Sequence, residues 1–357
     1  MNPNVVLPFL SSALSFLFAI LVADQWVRRR QPYQLVWTIG LLWYGISAGT
    51  EFLGGLLGWS EPLYRTWYVI GAIYVAGWLG LGTVYLLAKT RFGYAFAFSL
   101  LLAGLFTFLS QAKYNYADSG AAPILYFGVA LLAALVIVVM TARRDPRWAT
   151  VATVVIVGGS LVGLVMMLTV QLPAPGYSVD PRTHIPTGEL LPGYIRLLTP
   201  FFNITGAFAL GFGALYSAYV FMPKTRVIRY SLRRDQGLPS LIGNLLLVPI
   251  AIVVNFVASL PGAVTALVAG RLSSRVPATI LIAIGAIIPA ITSGANRFGS
   301  TSAFFVGEFL GILFIFLGFL VSIEVFSDVR LPFTRVVLAR RERPASNEAP
   351  GVGAGGR

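Results

Sequence analysis

The chain alternates between long apolar stretches and short polar connectors, and the length of the stretches predicts the architecture. Apolar runs cover residues 5–24, 34–58, 63–88, 92–111, 121–142, 148–172 and 199–222. Each reaches the roughly 20 residues that an α-helix needs to cross about 30 Å of hydrocarbon. The expected fold class is all-α, a polytopic transmembrane helix bundle. The first run does not read as a removable secretion signal, because nothing basic precedes it and Arg28, Arg29 and Arg30 follow it.

Beyond the seventh run the pattern loses its regularity. Leu241 to Gly270 is mainly apolar, long for one upright crossing and short for two, and it contains Pro249, Asn255 and the turn-like Ser259-Leu260-Pro261-Gly262. Two further runs follow, Pro277 to Ser293 and Ser302 to Phe326, joined by a polar link. If Leu241 to Gly270 crosses once, the chain has ten spans, and Arg271, Arg275 and the basic C-terminal segment lie outside. If it dips in and returns around Ser259 to Gly262 they lie inside, and the chain makes nine full crossings. The reading that keeps arginine inside is an interrupted or re-entrant hairpin, with a single tilted, proline-kinked helix as the alternative.

Charge in the connectors sets the expected orientation. Arg28 to Arg30, Lys89 and Arg91, Arg143, Arg144 and Arg147, and the cluster from Lys224 to Arg234 fall on one side, against Arg65, Lys113, Arg182 and Arg196 on the other. Positive charge is retained in the cytoplasm, so the N-terminus is expected outside. The predicted organisation is a seven-helix core over 1–236, a C-terminal membrane module over 237–327, and a basic cytoplasmic tail over 328–357 that ends in a disordered Pro/Ala/Gly-rich stretch. The plasma membrane, a prokaryotic inner membrane in particular, is the expected location.

Composition agrees and excludes much. Of 357 residues 57% are hydrophobic and 11% charged, far below the usual quarter for soluble proteins. The net charge of +13 sits in connectors and tail, so lipid is the expected partner and nucleic acid is not. The tail from Arg330 to Arg343 interleaves arginine with Leu331, Phe333, Val336 and Val337, a pattern that suits anionic lipid headgroups or a docking protein. With no cysteine and a single histidine, His184, thiol chemistry, Cys/His zinc sites and bis-histidine haem are excluded. No cofactor is expected.

An ionisable group at membrane depth is costly enough to mark function. Glu51 lies in the second run and Glu308 near the start of the last, each in the same tetrapeptide, Glu-Phe-Leu-Gly. They are the candidate ligand or proton site, with Asn203, Asn255, Tyr44 and Trp78 as further members. Trp43, Tyr44, Tyr74 and Trp78 could line an aromatic pocket near Glu51, whereas Trp37, Trp59, Trp67, Tyr68 and Tyr85 fit an interfacial belt. Asp24 and Glu324, at span ends, read as ion-pair partners. Asn203, Asn244 and Asn255 serve equally well as hydrogen-bond glue between helices.

The one long external connector, Pro173 to Thr199, contains Pro173, Pro175, Pro181, Pro186 and Pro192 and cannot be helical throughout. An ordered lid over the external face is one reading of it and a plain surface loop the other; His184 within it reads as solvated. A seven-span start with an external N-terminus has opsin-like topology, but 200–222 lacks the lysine a retinal Schiff base needs. No phosphate-binding loop or membrane-hydrolase motif is present, so enzymatic activity is not expected. Two functional classes remain: a transporter or binder of a small molecule or ion built on the intramembrane carboxylates, and a heptahelical sensor or assembly subunit that works through its cytoplasmic surface.

Overall fold

A computed structural model describes residues 3–114, 116–228, 238–297, 303–322, 328–330, 332–334 and 336–340. Its elements are α1 (Pro3–Arg29), α2 (Pro32–Leu57), α3 (Glu61–Trp67) running through a π-helical stretch (Tyr68–Tyr74) into α4 (Val75–Leu87), α5 (Gly93–Tyr114), α6 (Ala122–Ala142) and α7 (Trp148–Thr169). There follow the single turn α8 (Gly193–Arg196), α9 (Leu198–Phe221), α10 (Leu238–Val268), α11 (Arg275–Arg297), α12 (Phe304–Val321), and the short strands β1 (Asp328–Arg330) and β2 (Val337–Arg340). Nine of the described helical stretches are long and apolar enough to cross a membrane. α2 is also 26 residues long, with Glu51, Thr50 and Ser47 diluting its apolar character. The chain is an all-α polytopic bundle.

Helix starts follow local rules: Pro32, Pro62 and Pro123 open α2, α3 and α6, where the missing amide hydrogen leaves no helical bond unmade. α2 ends at Gly58, whose positive φ lets its amide reach back to Gly54.

Six helices form a closed ring. α1 packs on α2, α2 on α4, α4 on α9, α9 on α11, α11 on α12, and α12 returns to α1. Each contributes to one buried cluster containing Phe18, Leu41, Tyr44, Leu79, Leu210, Ala286, Ile312 and Phe319, so the ring is filled, not hollow. α5 stands outside it against α9, α7 against α4, and α6 packs on α5 and α7. Close approach depends on missing side chains: an added Cβ at Gly80 would lie 2.7 Å from the Gly206 carbonyl, and one at Gly206 would collide with the Ala76 carbonyl. Within the membrane such small-residue contacts replace the hydrophobic drive that lipid cannot supply.

The two ends of the bundle differ in charge. One carries the C-terminal ends of α1 and α9, the start of α11, where Arg275 lies 4.4 Å over the Phe221 ring, and Lys89, Arg91, Arg143, Arg144, Arg147, Lys224 and Arg226. We call it the basic face. The opposite end gathers the start of α1, the end of α2 and the connector 170–192: Asn4 donates to the Thr183 carbonyl (2.6 Å) and lies beside Gly55. There Arg65 is held by Glu61 (2.6 Å) and by the Val170 carbonyl (2.7 Å).

One element differs from the sequence expectation. The interrupted hairpin predicted around Ser259 to Gly262 is absent; α10 runs unbroken through Pro249 and Pro261. Polar side chains turned sideways are the reason. Ser259 donates to the Asn255 carbonyl one turn back (2.7 Å) and accepts from the Thr225 amide (2.8 Å), while Asn255 accepts from Val227 (2.8 Å) and Ile228 (2.9 Å). The residues that looked like a turn anchor the neighbouring segment 223–228 along the helix. The unbroken α10 matches the alternative reading, a single proline-containing helix, and removes the hairpin on which the nine-crossing count rested; Phe221 before this segment and Arg275 after it meet on the basic face. Glu324 and the chain end from 341 lie outside the described residues, as does the side chain of Asn244.

The tail is not shapeless where it is described. β1 and β2 pair antiparallel, and the Phe333 amide in their connection donates to Asp24 Oδ1 (2.9 Å). Arg28 pairs with the other oxygen, so Asp24 is an ion-pair residue that also holds the tail against α1.

The glycine contact yields a direct test. Gly206→Ala is expected to destabilise the protein by about 1–3 kcal/mol, the usual cost of overpacking a fitted interior, read as a lower unfolding temperature in detergent. Gly128→Ala, with nothing within 4 Å of its Cβ position, is the control and should leave that temperature unchanged or slightly raised.

Candidate functional site

The site begins with the α2–α3 hairpin. Glu51 and Trp67 stand at equal distances along the chain from Trp59 in the connector, and the antiparallel packing brings them level. Trp67 Nε1 donates to Glu51 Oε1 at 2.7 Å, with Glu51 only 1% exposed. The indole is fixed in turn by edge contacts with Trp59 (6.0 Å between ring centroids) and Tyr68 (5.8 Å) and by Tyr64. Immediately after it the helix widens: the Val75 amide bonds five residues back to Ile70. π-Helical bulges of this kind recur at functional sites, and here the bulge presents Tyr68, Gly71 and Ala72 to a cavity. Glycine is required at 71 because a Cβ there would strike Ser47 Oγ.

Glu308 arrives from α12, one turn into the helix, and Tyr44 pins that turn by donating from its hydroxyl to the Glu308 carbonyl (2.7 Å). The two carboxyl groups face each other within hydrogen-bonding reach. Oε2 of each is buried without a partner among the described protein groups. Two carboxylates so placed cannot both stay charged and unaccompanied: desolvation and mutual repulsion both oppose it. The geometry demands a proton or a cation between them.

Both acids line a cavity of about 210 Å³, room for about seven waters at ~30 Å³ each. It sits at the lid-side mouth of the six-helix ring, with Asn203 and Thr199 from α9, Ser293 from α11 and Phe304 from α12 among its walls. Beneath it the ring closes. Ile312 is one turn below Glu308, and Leu41 lies ten residues below Glu51 on α2, about 15 Å along the axis; both belong to the buried apolar cluster.

The connector 170–192 covers the mouth as an ordered lid. Asp180 organises it: Oδ1 accepts the amides of Arg182 and Thr183, both at 2.8 Å, and these bonds, Thr183's first, hold its carboxyl below the usual aspartate range. The Asp180 amide closes the loop onto the Ile185 carbonyl (2.8 Å), and Val179 bridges to Pro186. Tyr64 ties the lid down by donating to the Thr187 carbonyl (2.5 Å). Pro186, Thr187, Gly188 and Glu189 then roof the cavity. His184 sits at a positive φ in this loop, outside the cavity lining.

The structure therefore brings together Glu51, Glu308 and Asn203, with Tyr44 directly behind Glu308. It does not bring in Trp78 or Asn255. Trp78 Nε1 faces Ser160 Oγ (3.3 Å) on α7, as Tyr74 faces the Ser160 carbonyl (3.1 Å), so the expected pocket of Trp43, Tyr74 and Trp78 points away from Glu51. Asn255 serves the basic face, holding 227–228. The aromatic wall comes instead from Trp67 and Tyr68, which the sequence assigns to an interfacial belt. The hairpin symmetry about Trp59 was the available signal for Trp67; nothing local in the sequence announces the π-helical turn.

Trp67→Phe is expected to cost about 1–3 kcal/mol, because Glu51 Oε1 loses its buried donor. In a double-mutant cycle with Glu51→Gln on unfolding temperature the two changes should be clearly non-additive; simple additivity would mean that the Trp67–Glu51 bond does not operate.

No protein-family model matches this chain, and neither does any curated protein sequence or solved structure.

Proposed function

We propose that this membrane protein is a carrier or binder of a small solute, reached from the lid face, with Glu51 and Glu308 as its proton- or cation-holding element. The observation that carries the reading is the meeting of two buried carboxyls from α2 and α12 in one lidded cavity. Three features support it further. The cavity is at a helix-ring mouth, where solutes are commonly bound in bundles. A π-helical stretch lines it. An apolar seal lies between it and the opposite face, as access from one side at a time requires.

The basic face is cytoplasmic in this reading, the lid face external, and the membrane is the plasma membrane. No catalytic chemistry is assigned to the cavity. The second reading, a sensor or assembly subunit, has one observation in its favour: the tail turn anchored on Asp24, where a partner or anionic headgroups could displace it.

Since the chain has no cysteine, single-cysteine labelling is clean. A carrier exposes its site to both sides in turn. Ser293→Cys is expected to react with an impermeant maleimide from the lid side in right-side-out vesicles and also, more slowly, from the basic side in inside-out vesicles. Reaction from the lid side alone would leave a binder or receptor and remove transport; reaction from neither side would overturn the site. Glu308→Gln, which keeps size but removes the charge requirement, is expected to change the ratio of the two labelling rates and to abolish its dependence on pH. An unaltered pH dependence would separate the carboxyl pair from the conformational change.

A further inference from the structure

We infer that the solute taken by this cavity is a small organic cation, a compound bearing an ammonium group, and that it displaces the proton held by Glu51 and Glu308. The inference rests on the functional reading above and adds the chemical class. Four carboxylates line the cavity, Glu51 and Glu308 at depth and Asp180 and Glu189 in the lid, against one guanidinium, Arg196. That guanidinium is stacked 4.8 Å over the Tyr116 ring. A negatively charged solute would meet like charge on the way in and at the bottom, and a neutral one would leave the buried acids uncompensated.

The unpartnered Oε2 atoms of Glu51 and Glu308 are acceptors awaiting a donor, and an ammonium supplies up to three. Beside them stand the faces and edges of Trp67 and Tyr68, suited to the alkyl or methyl groups next to a cationic nitrogen. A multivalent metal ion is a poor occupant, because no cluster of three or more metal-binding side chains exists among the described residues. A bare monovalent ion would fill little of 210 Å³. Charge balances in the exchange: one cation enters between the carboxyls and the one proton they share leaves to solvent.

The probes are matched in shape and differ in charge: n-butylammonium, n-butanol and n-butyrate, with sodium chloride as the ionic control. Applied to the full-length protein in detergent, n-butylammonium is expected to raise the unfolding temperature in a saturable way. In lightly buffered solution it should release about one proton per site. The other three should do neither. Glu51→Gln and Glu308→Gln should each weaken n-butylammonium at least tenfold. Asp180→Asn, whose side chain lies in the lid and outside the bundle, should weaken it severalfold and guards against misfolding of the first two.

Equal or stronger stabilisation by n-butanol, n-butyrate or sodium would overturn the organic-cation assignment, as would n-butylammonium binding that survives the glutamate substitutions. The two levels of inference fail separately. If n-butylammonium has no effect while Ser293→Cys still labels from both faces, the class falls and the carrier stands. If n-butylammonium binds with proton release while labelling comes from the lid side only, the class stands and transport falls.

Discussion

A carboxyl group that leaves water for the interior of a membrane bundle keeps its charge only if something nearby answers it, and the surroundings of Glu51 and Glu308 answer only in part. Trp67 satisfies one oxygen of Glu51. Tyr44 fixes the backbone of Glu308 without touching its charge. What remains is two acids facing one another with one oxygen each unpaired, a state whose cost in low dielectric runs to several kcal/mol per ion after relaxation. Packed apolar residues in the same places would be more stable. α2 and α12 bring the acids together, so the packing of the ring is a condition of the site.

That packing rests on backbones in contact. α4 and α9 meet through Gly80 and Gly206, and α11 and α12 meet through Gly285 and Gly311, where an added Cβ at Gly285 would lie 2.6 Å from the Gly311 carbonyl. Such interfaces have few intermediate positions; they slide or separate as units. The ring is asymmetric along its axis, with polar walls and the cavity at the lid end and a continuous apolar seal below. Opening the other side would require α11 and α12 to move relative to α1 and α2, the two pairs that each carry one of the acids. In the proposed carrier the carboxyl pair would therefore span the seam across which motion occurs, and its charge state would bear on how tightly the seam is held.

Much of the scaffold was legible in the pattern of apolar runs, since the first seven follow the observed helices within a few residues. The reason is physical: helices that face lipid must be apolar over a full crossing, and their ends are marked by charge or proline. The error at α10 has an equally definite cause. Ser259, Pro261 and Gly262 signal a turn in a soluble chain, but in a helix packed beside 223–228 the serine bonds to its own backbone one turn back and to Thr225, and the helix continues through both prolines, which membrane helices tolerate. Glu51 and Glu308 could be singled out because charge at depth is rare. Tyr68 could not be singled out, because belt aromatics and pocket aromatics have the same composition and differ only in which way the helix is turned. Here a π-helical stretch sets that turn.

The distribution of basic residues bears on the site as much as the acids do. The chain has 26 lysines and arginines, enough to have supplied a permanent counter-ion for Glu51 and Glu308. On the lid face Arg65 is committed to Glu61 and to the carbonyl of Val170, and Arg196 is stacked on Tyr116. A built-in arginine between the acids would have neutralised them in every state of the protein and made their charge independent of what enters the cavity. Arg196 lines the same cavity but is stacked on Tyr116, and the compensation we propose is a mobile species, a proton or a ligand cation. If the pair exchanges its proton for a ligand cation, as proposed, occupancy of the cavity and protonation of the pair become a single linked equilibrium.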